Sequence, residues 1–195
     1  ETQAMNETLS ELSEQLQESY RMTILSLSNA IEANDNYTRG HCERVTEYAL
    51  ALGRVMGQTD EQLLTLEYAS LLHDVGKIGV PSEILNKAGA LSEDEFIQIC
   101  KHPEMGYSIV MKVPFLRECA EILLQHHERY DGSGYPKGVM GSNIRQEARM
   151  IAIADAFDSM TSARPYRKQP LTEKEAIEQL ITNSGTQFDP DMVVC

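Results

Sequence analysis

The 195-residue sequence lacks a long uncharged run and an excess of positive charge. Its longest stretches without a charged residue are 22–31 and 179–188, about half of the roughly twenty residues that a membrane-spanning helix needs. The 17 Lys and Arg residues are outnumbered by 30 Asp and Glu residues, which gives a net charge of −13. A broad surface for a nucleic-acid polymer or an anionic membrane needs a basic patch instead. We therefore expect neither partner, and no membrane insertion within this sequence.

Closely spaced cysteines and a leader-like start are also missing. The four cysteines are far apart and form no C-x-x-C pair, at Cys42, Cys100, Cys119 and Cys195. This spacing is typical of reduced thiols in a cytosol rather than of a disulfide framework. The sequence opens on Glu1 and has no basic region followed by an apolar block, so we expect no signal peptide. These features together predict a cytoplasmic fragment of a longer protein.

Helical patterns dominate the sequence from residue 38 onward. No sustained alternation of period two is present, so we expect an all-α bundle. Capping boxes are predicted at Ser92–Glu95 and Thr172–Glu175, and Pro103 and Pro114 fit the first turn of a helix. The one long irregular stretch, 129–143, is rich in glycine. Loops of this length inside a compact domain are usually functional.

The N-terminal segment 1–34 is polar and favours a helix. Apolar residues recur every three or four positions, at Met5, Leu9, Leu12, Leu16, Tyr20, Ile24, Leu27 and Ile31. This is close to a heptad repeat, with a stutter over 16–24. For the second half of this segment, a terminal helix packed on its own domain fits as well as a connector does. For the first half we prefer a connector to an upstream module, with a homodimer through this helix as a further expectation. The expected division is a connector at 1–24 and a catalytic domain at 25–195.

All five histidines lie at or on predicted helices, at His41, His73, His102, His126 and His127. Successive groups are 24–32 residues apart, which is one helix plus one loop, so in an antiparallel bundle they can converge on one internal site. Two carboxylates join them. Asp74 follows His73 directly, and Asp155 interrupts an apolar helical run. Taken singly, Asp155 fits a cap or an exposed face, and His73 fits a core histidine.

Together the five imidazoles and two carboxylates predict a site for two divalent ions with one carboxylate shared. Mixed nitrogen and oxygen ligands suit iron, manganese, zinc or nickel, and the absence of thiolates disfavours a structural zinc site. Two ions a few ångströms apart favour in-line attack on a phosphate ester by a bridging hydroxide. Lys77, one turn beyond His73, can neutralise a phosphate oxygen. It also fits an ordinary solvated lysine in a turn.

These residues resemble the motifs of the HD superfamily of metal-dependent phosphohydrolases and, within it, of HD-GYP domains. The matching motifs are HDVGKIGVP at 73–81, His102-Pro103, HHERYDGSGYP at 126–136 and IAIADAFDSMT at 151–161. The resemblance covers about residues 25–194. It implies an HD-superfamily helical bundle with an N-terminal connector helix, a role in bacterial signalling, and a parent protein that is a sensor or response regulator. It also implies a phosphodiesterase that opens cyclic di-GMP to linear pGpG, with further hydrolysis to GMP left open.

The resemblance also implies a ligand set. One ion is expected on His41, His73, Asp74 and Asp155, and Asp74 is expected to bridge to a second ion on His102, His126 and His127. The catalytic residues implied are His73, Asp74 and Lys77. Some family members hold a third ion through a Glu four residues before the first His, where this sequence has Tyr37. We therefore expect two ions, iron or manganese, with zinc or nickel as alternatives.

Further family positions imply contacts to the cyclic dinucleotide from Lys77, Asp158, Arg164 and Arg167. Arginine suits this task because its fork binds a phosphate or the O6/N7 edge of guanine. Without the family, 164–168 is an ordinary charged loop. Tyr135 is implied at the rim of the site, and it fits equally a plug for the end of the bundle. The loop Gly134–Pro136 is implied to dock a diguanylate-cyclase-type partner domain.

Two other functions stay open at this point. The same chemistry fits the hybrid cyclic GMP-AMP dinucleotide, because few residues read the second base. A non-catalytic module that senses a cyclic dinucleotide or docks a partner is the other. All seven ligand positions are filled by competent residues, and this favours an enzyme.

Overall fold

A computed structural model describes residues 2–33, 40–87, 89–162 and 169–195. Within these ranges the chain is helical, and the single pairing of β type is an isolated bridge between Ser184 and Phe188. The helices are α1 (Thr2–Glu32), α2 (His41–Val55), α3 (Asp60–Leu72), α4 (Ser82–Leu85), α5 (Glu93–Ile99), α6 (His102–Val110), α7 (Arg117–Gln125), α8 (Gln146–Thr161), α9 (Glu173–Thr182) and α10 (Pro190–Val193). Short 3₁₀ segments are Val75–Gly79, Pro114–Leu116 and Gly141–Asn143. The expected all-α class is confirmed.

The core lies between helices α2, α3, α7 and α8. Helix α2 packs on α3 and α8, while α7 packs on α3 and α6. Fully buried aliphatic side chains fill the centre, among them Val45, Leu66, Leu72, Ile122 and Ile151. Burying each contributes about 1.5–3 kcal/mol relative to exposure. This packing holds the ends of α3, α5 and α7 together around the site described below.

Helix starts follow the predicted capping chemistry. The capping boxes at Ser92 and Thr172 are both formed, and a third at Thr59 starts α3. Pro103 lies in the first turn of α6, and Pro114 opens a 3₁₀ segment. The missing N–H of proline costs nothing there, because the first turn of a helix leaves its donors without partners.

A buried carboxylate at the end of α1 fixes the start of α2. Glu32 accepts hydrogen bonds from the backbone N–H groups of Gly40 and Cys42, both at 2.7 Å. Backbone N–H groups at a helix N-terminus have no acceptor within the helix, and negative charge is favoured there. Glu32 thus determines where His41, the first residue of α2, enters the bundle.

Helix α1 presents two different apolar faces along its length. In its second half Ile24 and Ile31 are buried in the core, and Tyr20 stacks on Phe115 with ring centroids 4.4 Å apart. In its first half the apolar side chains are 50–71% exposed, at Met5, Leu9, Leu12 and Leu16. The second half is thus packed on the bundle, and the first half projects from it. No helix in the described ranges is long and apolar enough to cross a membrane.

Gly76 allows the 3₁₀ segment after Asp74 to touch α6. A Cβ atom at this position would lie 1.9 Å from the carbonyl oxygen of His102 and 2.7 Å from the backbone nitrogen of Gly106. No larger residue fits without a backbone shift. The glycine therefore sets the separation of Asp74 from His102.

We predict that Gly76→Ala lowers the free energy of unfolding by about 2–3 kcal/mol, because the added methyl group forces two backbone segments apart. Urea unfolding measures the loss. Gly89→Ala is the matched control, since nothing lies within 4 Å of a Cβ there, and its change should stay within about 0.5 kcal/mol. Equal losses in the two variants would contradict the close contact.

Candidate metal centre

Seven side chains from distant parts of the sequence converge in two adjoining clusters. The first cluster contains His41, His73 and Asp155. The second contains Asp74, His102, His126 and His127. Within each cluster the candidate ligand atoms lie within 4.8 Å of one another. The structure therefore brings together all seven residues that the sequence suggested as metal ligands.

The carboxylate of Asp74 lies between the two clusters. Its Oδ2 atom is 3.4 Å from Nε2 of His73 and 4.0 Å from Nε2 of His41. Its Oδ1 atom is 3.5 Å from Nε2 of His102. Each oxygen thus faces a different cluster, which is the arrangement that a carboxylate shared by two cations requires.

Three of the histidines are oriented by the ends of the helices that precede them. In each, the ring Nδ1 lies 2.6–2.7 Å from the carbonyl oxygen of the residue three positions earlier. The pairs are His73 with Ser70, His102 with Ile99 and His126 with Leu123. The last carbonyls of a helix have no partner within it. A carbonyl can only accept, so Nδ1 carries the proton and the Nε2 lone pair is left for a metal.

Burial keeps the three histidines of the second cluster neutral, so their ring nitrogens retain lone pairs. Burial lowers the pKa of His102 and of His126, and it lowers the pKa of His127 to about 3. The Nε2 atoms of His102 and His126 are nevertheless only 3.3 Å apart. Two neutral acceptor atoms this close repel each other unless a cation is shared between them. The donor set therefore fits a metal ion.

The carboxylates in the site are held in their ionised form. Burial alone would raise the pKa of Asp74, but Lys77 and the neighbouring histidines outweigh burial and hold it well below its usual range. Burial would also raise the pKa of Asp155, but His41 outweighs burial and lowers this pKa. Burial would lower the pKa of His41, yet Asp155 and Asp158 raise it to about 9. A buried site that favours positive charge this strongly suits divalent cations.

Lys77 and Tyr135 lie beside the clusters. The Lys77 ammonium is 2.7 Å from Oδ2 of Asp74, with 19% of its side chain exposed. The Tyr135 ring is 4.9 Å from the His127 ring, centroid to centroid. Tyr135 lines a cavity of about 420 Å³ that reaches His126, His127 and Asp155. The cavity is also lined by Phe96, Arg129 and Gln187.

Asp158 occupies a different environment from the one expected of a substrate contact. Its side chain is 1% exposed, its Oδ2 lies 2.6 Å from Nδ1 of His41, and its Oδ1 accepts from Nε of Arg44 at 2.6 Å. It faces the far side of His41 and does not line the cavity. The other two expected substrate contacts, Arg164 and Arg167, lie outside the described residues, as does Tyr37.

A buried glutamate folds the glycine-rich loop back over the site. Glu128 accepts hydrogen bonds from the backbone N–H groups of Lys137 at 2.8 Å and Val139 at 3.1 Å. A Cβ at Gly134 would lie 2.3 Å from the nitrogen of Arg129, so only glycine allows this turn. The fold of the loop places Tyr135 against His127.

Sequence reasoning missed Arg44 and Glu128. Arg44 lies three positions after His41 and therefore on the same face of α2, which was the available signal. Glu128 directly follows the His126-His127 pair. Its partners are backbone groups 9 and 11 positions later, and a sequence pattern does not reveal such contacts.

Comparisons with known proteins identify the family of the chain. The HD domain family model matches residues 25–192. The cyclic di-GMP phosphodiesterase response regulator RpfG of Xanthomonas campestris is 41% identical over 181 residues, covering 92% of this chain and 48% of that protein. The 3′3′-cGAMP-specific phosphodiesterase 2 of Vibrio cholerae is 37% identical over 180 residues, covering 91% of this chain and 34% of that protein. The chain thus spans less than half of the length of each of these two relatives.

Solved structures support the same fold. A cyclic GMP-AMP-specific phosphodiesterase of V. cholerae, V-cGAP3, superposes with a TM-score of 0.67 at 20% identity, over 89% of this chain and 47% of that one. The HD domain of the Listeria monocytogenes phosphodiesterase PgpH superposes with a TM-score of 0.55 at 20% identity, over 80% and 83% of the two chains. The resemblance noted in the sequence is confirmed, and the chain belongs to the HD domain family.

Proposed function

We propose that this chain is a metal-dependent phosphodiesterase that hydrolyses cyclic di-GMP to linear pGpG. The observation that carries the proposal is the position of Asp74, whose two carboxylate oxygens face two separate clusters of ligand atoms. The name of the RpfG relative, a cyclic di-GMP phosphodiesterase, supports the substrate. Hydrolysis of pGpG to GMP would be a second turnover at the same centre.

In this proposal two divalent ions share the site. One would be held by His41, His73, Asp74 and Asp155, and the other by Asp74, His102, His126 and His127. When bound, the ions activate a water molecule and neutralise charge on the phosphate. Iron or manganese fits the mixed nitrogen and oxygen ligands, and zinc or nickel is the alternative. The shared carboxylate of Asp74 would set the distance between the two ions. The buried histidines exclude bulk water from their side of the centre.

Four residues are proposed to contact the substrate, and two of them, Lys77 and Tyr135, lie in the part of the chain that the structure describes. Lys77 is placed to pair with a phosphate oxygen, because its ammonium already lies beside Asp74. Tyr135 offers an aromatic ring at the cavity wall on which a base can stack. Arg164 and Arg167 keep their proposed roles toward phosphate and guanine. We also propose that the loop Gly134–Pro136 docks a diguanylate-cyclase-type domain. The proposed location of the chain is the cytoplasm.

The hybrid cyclic GMP-AMP dinucleotide is the second candidate substrate. It is favoured by the relative named as a 3′3′-cGAMP-specific phosphodiesterase, at 37% identity over 91% of this chain. A non-catalytic sensor is disfavoured, because all seven ligand side chains are present and oriented. Comparing turnover of the two dinucleotides separates these functions.

We predict that the manganese-loaded protein hydrolyses cyclic di-GMP and that Asp74→Ala abolishes turnover, because the shared carboxylate is lost. Metal analysis of the same samples should show two ions per wild-type chain and a lower content in the variant. Asp94→Ala, at an exposed position on α5, is the control and should keep both activity and metal. A wild-type protein that holds two ions and cleaves neither dinucleotide would overturn the proposed function.

We also propose that the first half of α1 pairs with a second copy of this chain. Its exposed apolar residues follow the 4, 3, 4 spacing of a coiled-coil seam, at Met5, Leu9, Leu12 and Leu16. At about 100° per residue, this seam lies roughly 100° around the helix from the face of Ile24, Ser28 and Ile31 that packs on the bundle. The bundle therefore leaves the seam open to a partner.

The charges on α1 favour self-association over other occupants. The residues flanking the seam are uncharged, at Asn6, Thr8, Ser13 and Gln15. The glutamates of this segment all lie on the opposite face, at Glu7, Glu11, Glu14 and Glu18. Two copies of an acidic helix repel each other when like charges flank the seam. This helix keeps its negative charge away from the place where an identical helix would lie.

We predict that the wild-type chain dimerises and that the double variant Leu9→Glu with Leu12→Glu is monomeric. Sedimentation velocity over a range of protein concentrations measures this. The matched control, Ser10→Glu with Gln17→Glu, adds the same charge at two exposed positions outside the seam and should remain dimeric. A wild-type chain that stays monomeric throughout, or a dimer that survives the seam substitutions, would exclude this interface.

A further inference from the structure

His41 differs from the other buried histidines in what holds its ring. The Nδ1 atoms of His73, His102 and His126 each lie against a carbonyl of the preceding helical turn. His41, like His102, is the first residue of its helix, but a carboxylate takes the place of the carbonyl at its Nδ1. Its Nδ1 lies instead 2.6 Å from Oδ2 of Asp158, a residue 117 positions away on α8.

The carboxylate of Asp158 is fully engaged within the protein. Oδ2 also accepts from Nη2 of Arg44 at 3.2 Å, and Oδ1 accepts from Nε of Arg44 at 2.6 Å and from Oγ of Ser162 at 3.2 Å. A carboxylate has about four lone-pair positions, and with His41 these contacts fill them. Asp158 is also 1% exposed. It therefore has no lone pair left for a dinucleotide.

We infer that Asp158 is a positioning residue for the metal centre, which orients His41 as a ligand and is itself held by Arg44. The inference rests on the proposed metal centre and replaces the substrate contact that the family resemblance implied. A carboxylate that accepts from one ring nitrogen fixes the tautomer and strengthens the other nitrogen as a ligand. That other nitrogen, Nε2 of His41, lies 3.3 Å from Oδ1 of Asp155.

The contacts also predict which ion is bound more weakly when Asp158 or Arg44 is replaced. His41 belongs to the cluster with His73 and Asp155, while His102, His126 and His127 belong to the other. Arg44 has a side chain that is 38% exposed and reaches Asp158 from the surface. Loss of Asp158 or Arg44 should weaken one ion and leave the second in place. A general loss of structure would weaken both ions together.

The test is titration of the metal-free full chain with Mn²⁺, with the free ion followed by electron paramagnetic resonance. Wild-type protein should bind two ions. Asp158→Asn should bind one ion as wild type does and the other about 10–100-fold more weakly, the usual effect of losing such a carboxylate. Asp189→Asn is the matched control, because Asp189 is also buried and paired with an arginine, Arg149, but contacts no histidine. The control should bind both ions as wild type does.

A second variant keeps the inference testable if Asp158→Asn does not fold. Arg44→Ala removes the guanidinium that donates to Asp158. It should weaken binding of the same single ion by a smaller factor. The inference is overturned if Asp158→Asn or Arg44→Ala binds both ions with wild-type affinity. A rise in KM for cyclic di-GMP with both ions intact would return Asp158 to substrate binding. Because the readout is metal affinity, a chain that binds two ions but lacks turnover rejects only the proposed function.

Discussion

The site depends on one carboxylate that must face two groups of histidines at once. Asp74 can do this because α3 ends at Leu72, and the chain then turns through a 3₁₀ segment whose glycine lies against α6. The surrounding histidines meet it because each follows or begins a helix whose other face is buried in the same core. The hydrophobic core thus supplies the position of the site, and the unsatisfied helix carbonyls orient three of its rings, those of His73, His102 and His126.

The electrostatics follow from this placement. Burial keeps the imidazoles of His102, His126 and His127 neutral, and the carboxylates beside Lys77 and the histidines stay ionised. Such a site attracts divalent cations although the chain as a whole carries a charge of −13. The overall acidity still disfavours an extended polyanion. A small cyclic dinucleotide is governed by the local field of the cleft instead.

Much of this could be predicted from the sequence, for physical reasons that also show where prediction fails. The candidate ligand residues could be found because the histidines recur one helix plus one loop apart, and because an aspartate within an apolar helical run is rarely buried without a partner. The capping boxes at Ser92 and Thr172 could be found because their chemistry is local. The pairing of Asp158 with His41 could not be found, because it joins helices 117 positions apart. The apolar series in α1 looked continuous, yet the stutter rotates it from an open seam onto the face packed on the bundle.

In the proposed centre, one carboxylate, that of Asp74, holds two metal ions. Electron paramagnetic resonance of the wild-type chain loaded with two Mn²⁺ ions tests it most directly, because ions that share Asp74 are close enough for their spins to couple. We expect the spectrum of a coupled manganese pair. Two independent mononuclear signals at full loading would contradict it.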